Sequence, residues 1–109
     1  MQGRLDKRIV VWGNIEFDNE IDEKDFGPRE IKTIWAQIIP QTSSLQKQQT
    51  DTILSNTTHK VIVRYGAGKD ITQDMWFIYQ GHRLDIKYVL DPYFSHQFLE
   101  IFCEEIIGG

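Results

Sequence analysis

The chain has one cysteine, Cys103, in 109 residues. That excludes an internal disulfide, and with it a cysteine-rich zinc site built within one subunit. Cys103 ends the apolar run Phe98 to Cys103, where a small buried hydrophobe is expected rather than a nucleophile. No apolar run approaches the ~18 residues of a helical membrane span. The N-terminal Met-Gln-Gly-Arg-Leu-Asp-Lys-Arg lacks the apolar centre of a secretory signal, so synthesis and residence in a cytoplasm are expected. Basic excess is missing too. Twelve Lys and Arg stand against sixteen Asp and Glu, a formal net charge of −4. Phosphate contacts need a basic surface, so a general nucleic-acid binder is disfavoured, although a few lysines could still make a local contact.

Catalytic signatures are equally scarce. The sequence has no Gly-x-Ser-x-Gly, His-Glu-x-x-His or Cys-x-x-Cys. His59, His82 and His96 show no metal-ligand spacing, and each falls at a strand start or a turn. Gly66, Gly68 and Lys69 do not make a phosphate loop, because no Gly-Lys-Ser/Thr follows and no helix pattern lies behind them. No enzyme, metal or cofactor is expected.

What is present is short-period alternation. Thr58 to Tyr65 is the best strand, with Val61, Val63 and Tyr65 on one face and Lys60, Ile62 and Arg64 on the other. Lys7 to Phe17 reads as a first strand whose core parity is Ile9, Val11, Ile15 and Phe17; Gly13 on that parity suggests a bulge or bend. Ile31 to Pro40 is the second, with Ile34, Ala36 and Ile38 facing the core and Pro40 ending the ladder. Gly66 to Asp70 supplies a turn. Met75 to Tyr79 and Arg83 to Leu90 form a hairpin through Gln80-Gly81-His82, and Gln97 to Glu105 is the last strand, with Leu99, Ile101 and Cys103 on one face. The expectation is a single all-β domain over residues 1–109, a small antiparallel β-barrel of about six strands.

Two polar stretches interrupt this pattern. Residues 16–28 read as an acidic loop, with six carboxylates between Glu16 and Asp25 against Lys24, closed by Phe26-Gly27-Pro28. A calcium loop fails there: counted from Asp18, the sixth position is Glu23 where glycine is needed, and the twelfth is Arg29 where glutamate is needed. Residues 41–57 form a long polar loop between the second and third strands, with a short helix near Leu45 as its only regular candidate. Loops of that length on a compact scaffold are often functional. Surplus aromatic surface is the remaining signal. Trp12, Trp35, Phe98 and Phe102 sit opposite their strands' core sets, and Ile106 and Ile107 extend the last strand. These six are the interface candidates, since aromatics are enriched where chains meet.

The order of Leu5-x-Lys7-Arg8-Ile9-x-Val11, Trp35-Ala36-x-Ile38-x-Pro40, Thr58-His59-Lys60-x-Ile62-x-Arg64-Tyr65, Met75-x-Phe77-x-Tyr79-x-Gly81-x-Arg83-x-x-Ile86 and Leu99-x-Ile101-x-Cys103-Glu104 resembles the head–tail adaptor family, the head-closure or stopper proteins of long-tailed bacteriophages and prophages. The resemblance implies a virion protein of the head–tail connector, assembled in the host bacterial cytoplasm. It would form a homo-oligomeric ring of about twelve copies beneath the portal and adaptor ring and above a tail terminator or tail completion protein. Packaged double-stranded DNA would fill the channel, contacted without sequence specificity. It further implies that the long loop closes the channel, here through Gln46, Lys47, Gln48, Gln49, Thr50, Asp51 and Thr52. The competing expectation is a small β-barrel ligand- or nucleic-acid-binding module, which would need a basic groove with exposed aromatics.

Overall fold

The computed structural model describes residues 5–41 and 57–107. Six strands, β1 (Lys7–Asp18), β2 (Lys24–Pro40), β3 (His59–Arg64), β4 (Trp76–Tyr79), β5 (His82–Leu90) and β6 (Phe98–Ile106), close into an antiparallel barrel in the order β1-β2-β3-β6-β5-β4. One turn of helix, α1 (Tyr65–Gly68), follows β3, and a 3-10 turn (Pro92–Phe94) joins β5 to β6. The all-β barrel expected from alternation is the fold observed.

Alternation sets the inside. Ile9, Val11, Ile34, Ala36, Val61, Val63, Phe77, Leu84, Ile86, Leu99, Ile101 and Cys103 are buried together. Each large apolar side chain removed from water contributes about 1.5–3 kcal/mol. Gly68 lets α1 seal one end of this core: a Cβ there would lie 2.6 Å from Val63 Cγ2 and 3.1 Å from Leu99 Cδ1. The β4–β5 hairpin turns on Gln80 and Gly81, at φ 50° and 83°, with Tyr79 paired to His82. Two consecutive positive φ values are what a two-residue hairpin turn requires, and glycine adopts them without steric cost.

Several expectations are corrected. The strand expected over Thr58 to Tyr65 stops at Arg64, because Tyr65 opens α1 while its N–H donates to the Gln97 carbonyl at 3.0 Å. The Gly66 to Asp70 turn is accordingly helical through Gly68. The irregularity assigned to Gly13 lies one step earlier, as a register shift between Val11 and Trp12. The acidic stretch 16–28 is not a loop. β1 runs through Asp18 and β2 starts at Lys24, with Ile15 opposite Gly27, Glu16 opposite Phe26 and Asp18 opposite Lys24.

That ribbon leaves the barrel. β1 pairs with β4 only from Val10 to Trp12, and β2 pairs with β3 only from Gln37 to Pro40. Among the described residues, Gly13–Asp18 and Lys24–Arg29 therefore have no strand partner but each other. Pro28 is tolerated because the other edge of β2 bonds to nothing there. Asn19 shapes the tip: its Oδ1 accepts from the N–H groups of Ile21 and Glu23, both at 3.0 Å. Ile15 and Phe17, expected in the core, are accordingly 38% exposed and half-buried, the latter under the Arg29 guanidinium at 3.7 Å.

Candidate interaction surfaces

β2 joins two ends of the molecule, its Pro40 end beside the long polar stretch and its Lys24 end at the tip of the acidic ribbon. At the first, the Gln41 N–H donates to the Thr58 carbonyl at 2.8 Å and the Thr58 N–H to the Cys103 carbonyl at 2.9 Å. The Glu105 N–H donates to Thr58 Oγ1 at 2.7 Å. The chain therefore departs after Gln41 and returns at Thr58 through two points bonded to one another and to β6. Gln46, Lys47, Gln48, Gln49, Thr50, Asp51 and Thr52, the expected channel-closing residues, lie outside the described residues. Beside these roots is a recess of about 320 Å³, lined by Lys7, Pro40, His59, His82 and Glu105 among others. Its polar pairs are His82 Nδ1 with Glu105 Oε2 at 2.8 Å and His59 Nδ1 with Thr58 Oγ1 at 2.9 Å.

Cysteine does not line the recess. Cys103 points into the core, where burial, with a smaller push from the Asp85 carboxylate, drives its thiol far above the ordinary range. A thiol so held is unreactive. Among the described residues no group of three or more His, Cys, Asp and Glu is arranged to hold a metal ion.

The outer wall of β2, β3, β6 and β5 gathers aromatics with cations. Arg8 pairs with Trp35 in register, and its guanidinium lies 5.3 Å from the indole centre. Arg64 pairs with Phe98, 5.7 Å above its ring. Two residues beyond the last β2–β3 pair, Gln37 with Ile62, the same count, carried on, would bring Trp35 opposite Arg64. A second row runs Ile39, Lys60, Phe102 and Tyr88, the last two rings 6.2 Å apart. Ile62 faces outward on this wall yet is only 3% exposed, while Trp35 is 53% exposed. Three of the six interface candidates, Trp35, Phe98 and Phe102, thus share one face. Trp12 does not join them: it is half-buried opposite Trp76, which Arg83 stacks over at 4.2 Å. Ile106 and Ile107 are exposed at the end of β6, 46% and 85% respectively.

At the Lys24 end lie residues the sequence pattern did not single out. Ile21 and Phe26 stand exposed on the acidic ribbon. Tyr93 and Phe94, almost wholly exposed, occupy the β5–β6 connection with φ of 59° and 55°. His96, also at positive φ, has its Nδ1 2.6 Å from an Asp91 carboxylate oxygen and its ring 4.7 Å from that of Tyr65. Left-handed non-glycine residues cost free energy and collect where a surface has a task. The Asp91-Pro92 turn with two following aromatics was the available signal for this loop, and Phe26 before Gly-Pro was the signal for the ribbon.

The comparisons with known proteins agree with one another. The sequence model of the family described as phage head completion protein matches residues 1–106. Among solved structures, protein SF1141 from Shigella flexneri 2a is similar, with a TM-score of 0.74, 23% identity, and coverage of 98% of this chain and 97% of that one. A chain from the virion of a native gene transfer agent particle has a TM-score of 0.61 at 14% identity, covering 98% and 100%. At those identities the two structures establish the fold. No curated protein matches.

Proposed function

The chain belongs to the phage head completion proteins, and we propose that it closes the filled head as a ring in the neck of the particle, retaining packaged DNA and offering the tail a surface to dock on. The family is a structural one, and as a member of it the chain is a virion component that works among other virion proteins. The observation that carries the reading is the family match over nearly the whole chain, residues 1–106, onto a closed barrel.

The geometry supports the finer statement in two ways. First, the polar segment between Gln41 and Thr58 springs from bonded roots at one barrel end, so it can reach inward without disturbing the wall. Its side chains suit a place beside DNA. Gln46, Gln48, Gln49, Thr50 and Thr52 are neutral, Lys47 can meet a phosphate and Asp51 repels one, so contact is weak and ejection is not impeded. Second, exposed Tyr93 and Phe94 provide aromatic surface that neighbouring rings would cover. In this reading about twelve copies surround the channel, with the portal and adaptor above and a tail terminator or completion protein below.

Deleting Gln46 to Leu54 tests the assignment. The expected result is an unchanged thermal midpoint for the purified protein, together with filled heads that lose DNA before tails join. Full DNA retention by the mutant particles would refute the closing role of the loop.

A further inference from the structure

The acidic ribbon and the aromatic wall are both incomplete in an isolated copy. An unsupported two-stranded ribbon is marginal in water, yet Gly13–Asp18 and Lys24–Arg29 carry exposed Ile15 and Phe26, with Ile21 at the tip between them. Charge is divided unequally. From Glu16 to Glu30 there are seven carboxylates against Lys24 and Arg29, whereas the rest of the chain has nine against ten cations. Asp18 pairs with Lys24 at 2.9 Å, but Glu16, Glu20, Asp22 and Glu23 form no ion pair among the described residues. The same is true of Arg8, Lys60 and Arg64, the three cations interleaved with Trp35, Phe98 and Phe102 on the wall. Other cations nearby are already engaged, Lys87 with Glu104 at 3.2 Å and Arg83 with Asp85 at 2.7 Å.

We propose that the acidic ribbon of one copy lies across the β2–β3–β6 wall of the next, setting Glu20, Asp22 and Glu23 against Arg8, Lys60 and Arg64 and covering Ile21 and Phe26 with Trp35, Phe98 and Phe102. The contact rests on the ring reading above and names the surfaces that would make the ring. Ribbon and wall are different surfaces of one chain, so their contact is head-to-tail, and such contacts close into rings when the rotation permits. Complementary charge fixes the register and speeds encounter, while the aromatics supply the buried area. Trp35 and the Phe98 ring keep their stacked arginines in place for the incoming carboxylates.

The test is a disulfide across the contact, made in particles. Two differently tagged full-length chains, one carrying Asp22→Cys and the other Lys60→Cys, are expressed together in the cells that assemble the particles; buried Cys103 stays as it is. Mild oxidation should link the two tags, and two Asp22→Cys chains should not link to each other. Links only between ribbons, links only to a different virion protein, or no link in particles that contain both chains would overturn the contact while leaving head completion intact. Absence of the wild-type chain from particles would overturn head completion, and the contact with it. Charge reversal gives a second readout. Glu20→Lys with Glu23→Lys, and separately Lys60→Glu with Arg64→Glu, should each lower the yield of infectious or transducing particles by about tenfold or more. Combining the reversals should recover most of that loss; no recovery would refute the pairing.

Discussion

Along its seventeen residues β2 passes from a ribbon with water on both faces to the wall of a closed barrel. Its last four residues pair with β3, and Ile38 packs against the core. Its first six have a single neighbour, and all but Gly27 are exposed. The same backbone geometry serves both parts, and each pairs with one strand, so what separates them is the core that the last four residues help to cover and the side chains allowed outside. The barrel half is fixed by its own packing. The ribbon half holds a shape that its own burial does not account for, which is what the proposed contact between copies would supply.

The largest effect should come from the barrel. Phe77, wholly buried at its centre, cannot be truncated without leaving a cavity, and Phe77→Ala should cost about 3–5 kcal/mol, read from the urea midpoint. Gly68→Ala should cost about 1–3 kcal/mol, since its Cβ would meet Val63 Cγ2 at 2.6 Å and force α1 off the core. A smaller loss is expected at the join between the two regions, where Lys32 Nζ meets Asp70 Oδ1 at 2.9 Å. Asp70 is largely exposed, so Lys32→Met should cost at most about 1 kcal/mol.

The hydrogen bond and charge of Lys32 hold the Asp70 carboxyl below its ordinary value. That contribution is fully present above the unfolded carboxylate pKa and disappears as pH falls through the lower folded one. The gap between wild type and Lys32→Met should therefore close on acidification, and a gap independent of pH would remove the ion pair from the explanation. The smallest effect should come from the ribbon: Phe26→Ser should shift folding stability by no more than about 0.5 kcal/mol. A loss approaching that of Phe77→Ala would mean that the ribbon folds as part of the barrel.

The barrel was legible because most of its core positions keep parity along their strands, although β5 shifts register between Ile86 and Tyr88 and turns Val89 to the core. Val61 and Val63, or Leu99, Ile101 and Cys103, announce an inner face with no knowledge of their neighbours. The ribbon hid because charge masked the same period. Its β1 side reads as strand through Phe17, but with Ile15 and Phe17 in the core; on its β2 side Asp25 precedes Phe26, which sits singly among charged residues and reads as a solvated loop. The aromatic wall was half visible. Parity placed Trp35, Phe98 and Phe102 outside, but their meeting depends on β3 lying between β2 and β6, and strand order is set by long-range pairing. The same parity placed Trp12 outside, and the β1–β4 pairing sent it to a different neighbourhood. Tyr93 and Phe94 carry no periodic signal, because their exposure comes from backbone at positive φ.

The closing seam of the barrel has a kinetic consequence. β1 meets β4 through only three residue pairs, from Val10 with Ile78 to Trp12 with Trp76, and β3 finds its second partner only in β6. Every strand except those of the local hairpins must wait for a segment made much later, an arrangement that slows folding. Until β6 arrives, β3 and β5 each present an open edge, and open edges pair with whatever strand is near. A chain interrupted before β6 is thus a hazard to other copies as well as a loss. Synthesis through β6 is what turns an adhesive intermediate into a protomer whose barrel has no free edge to offer.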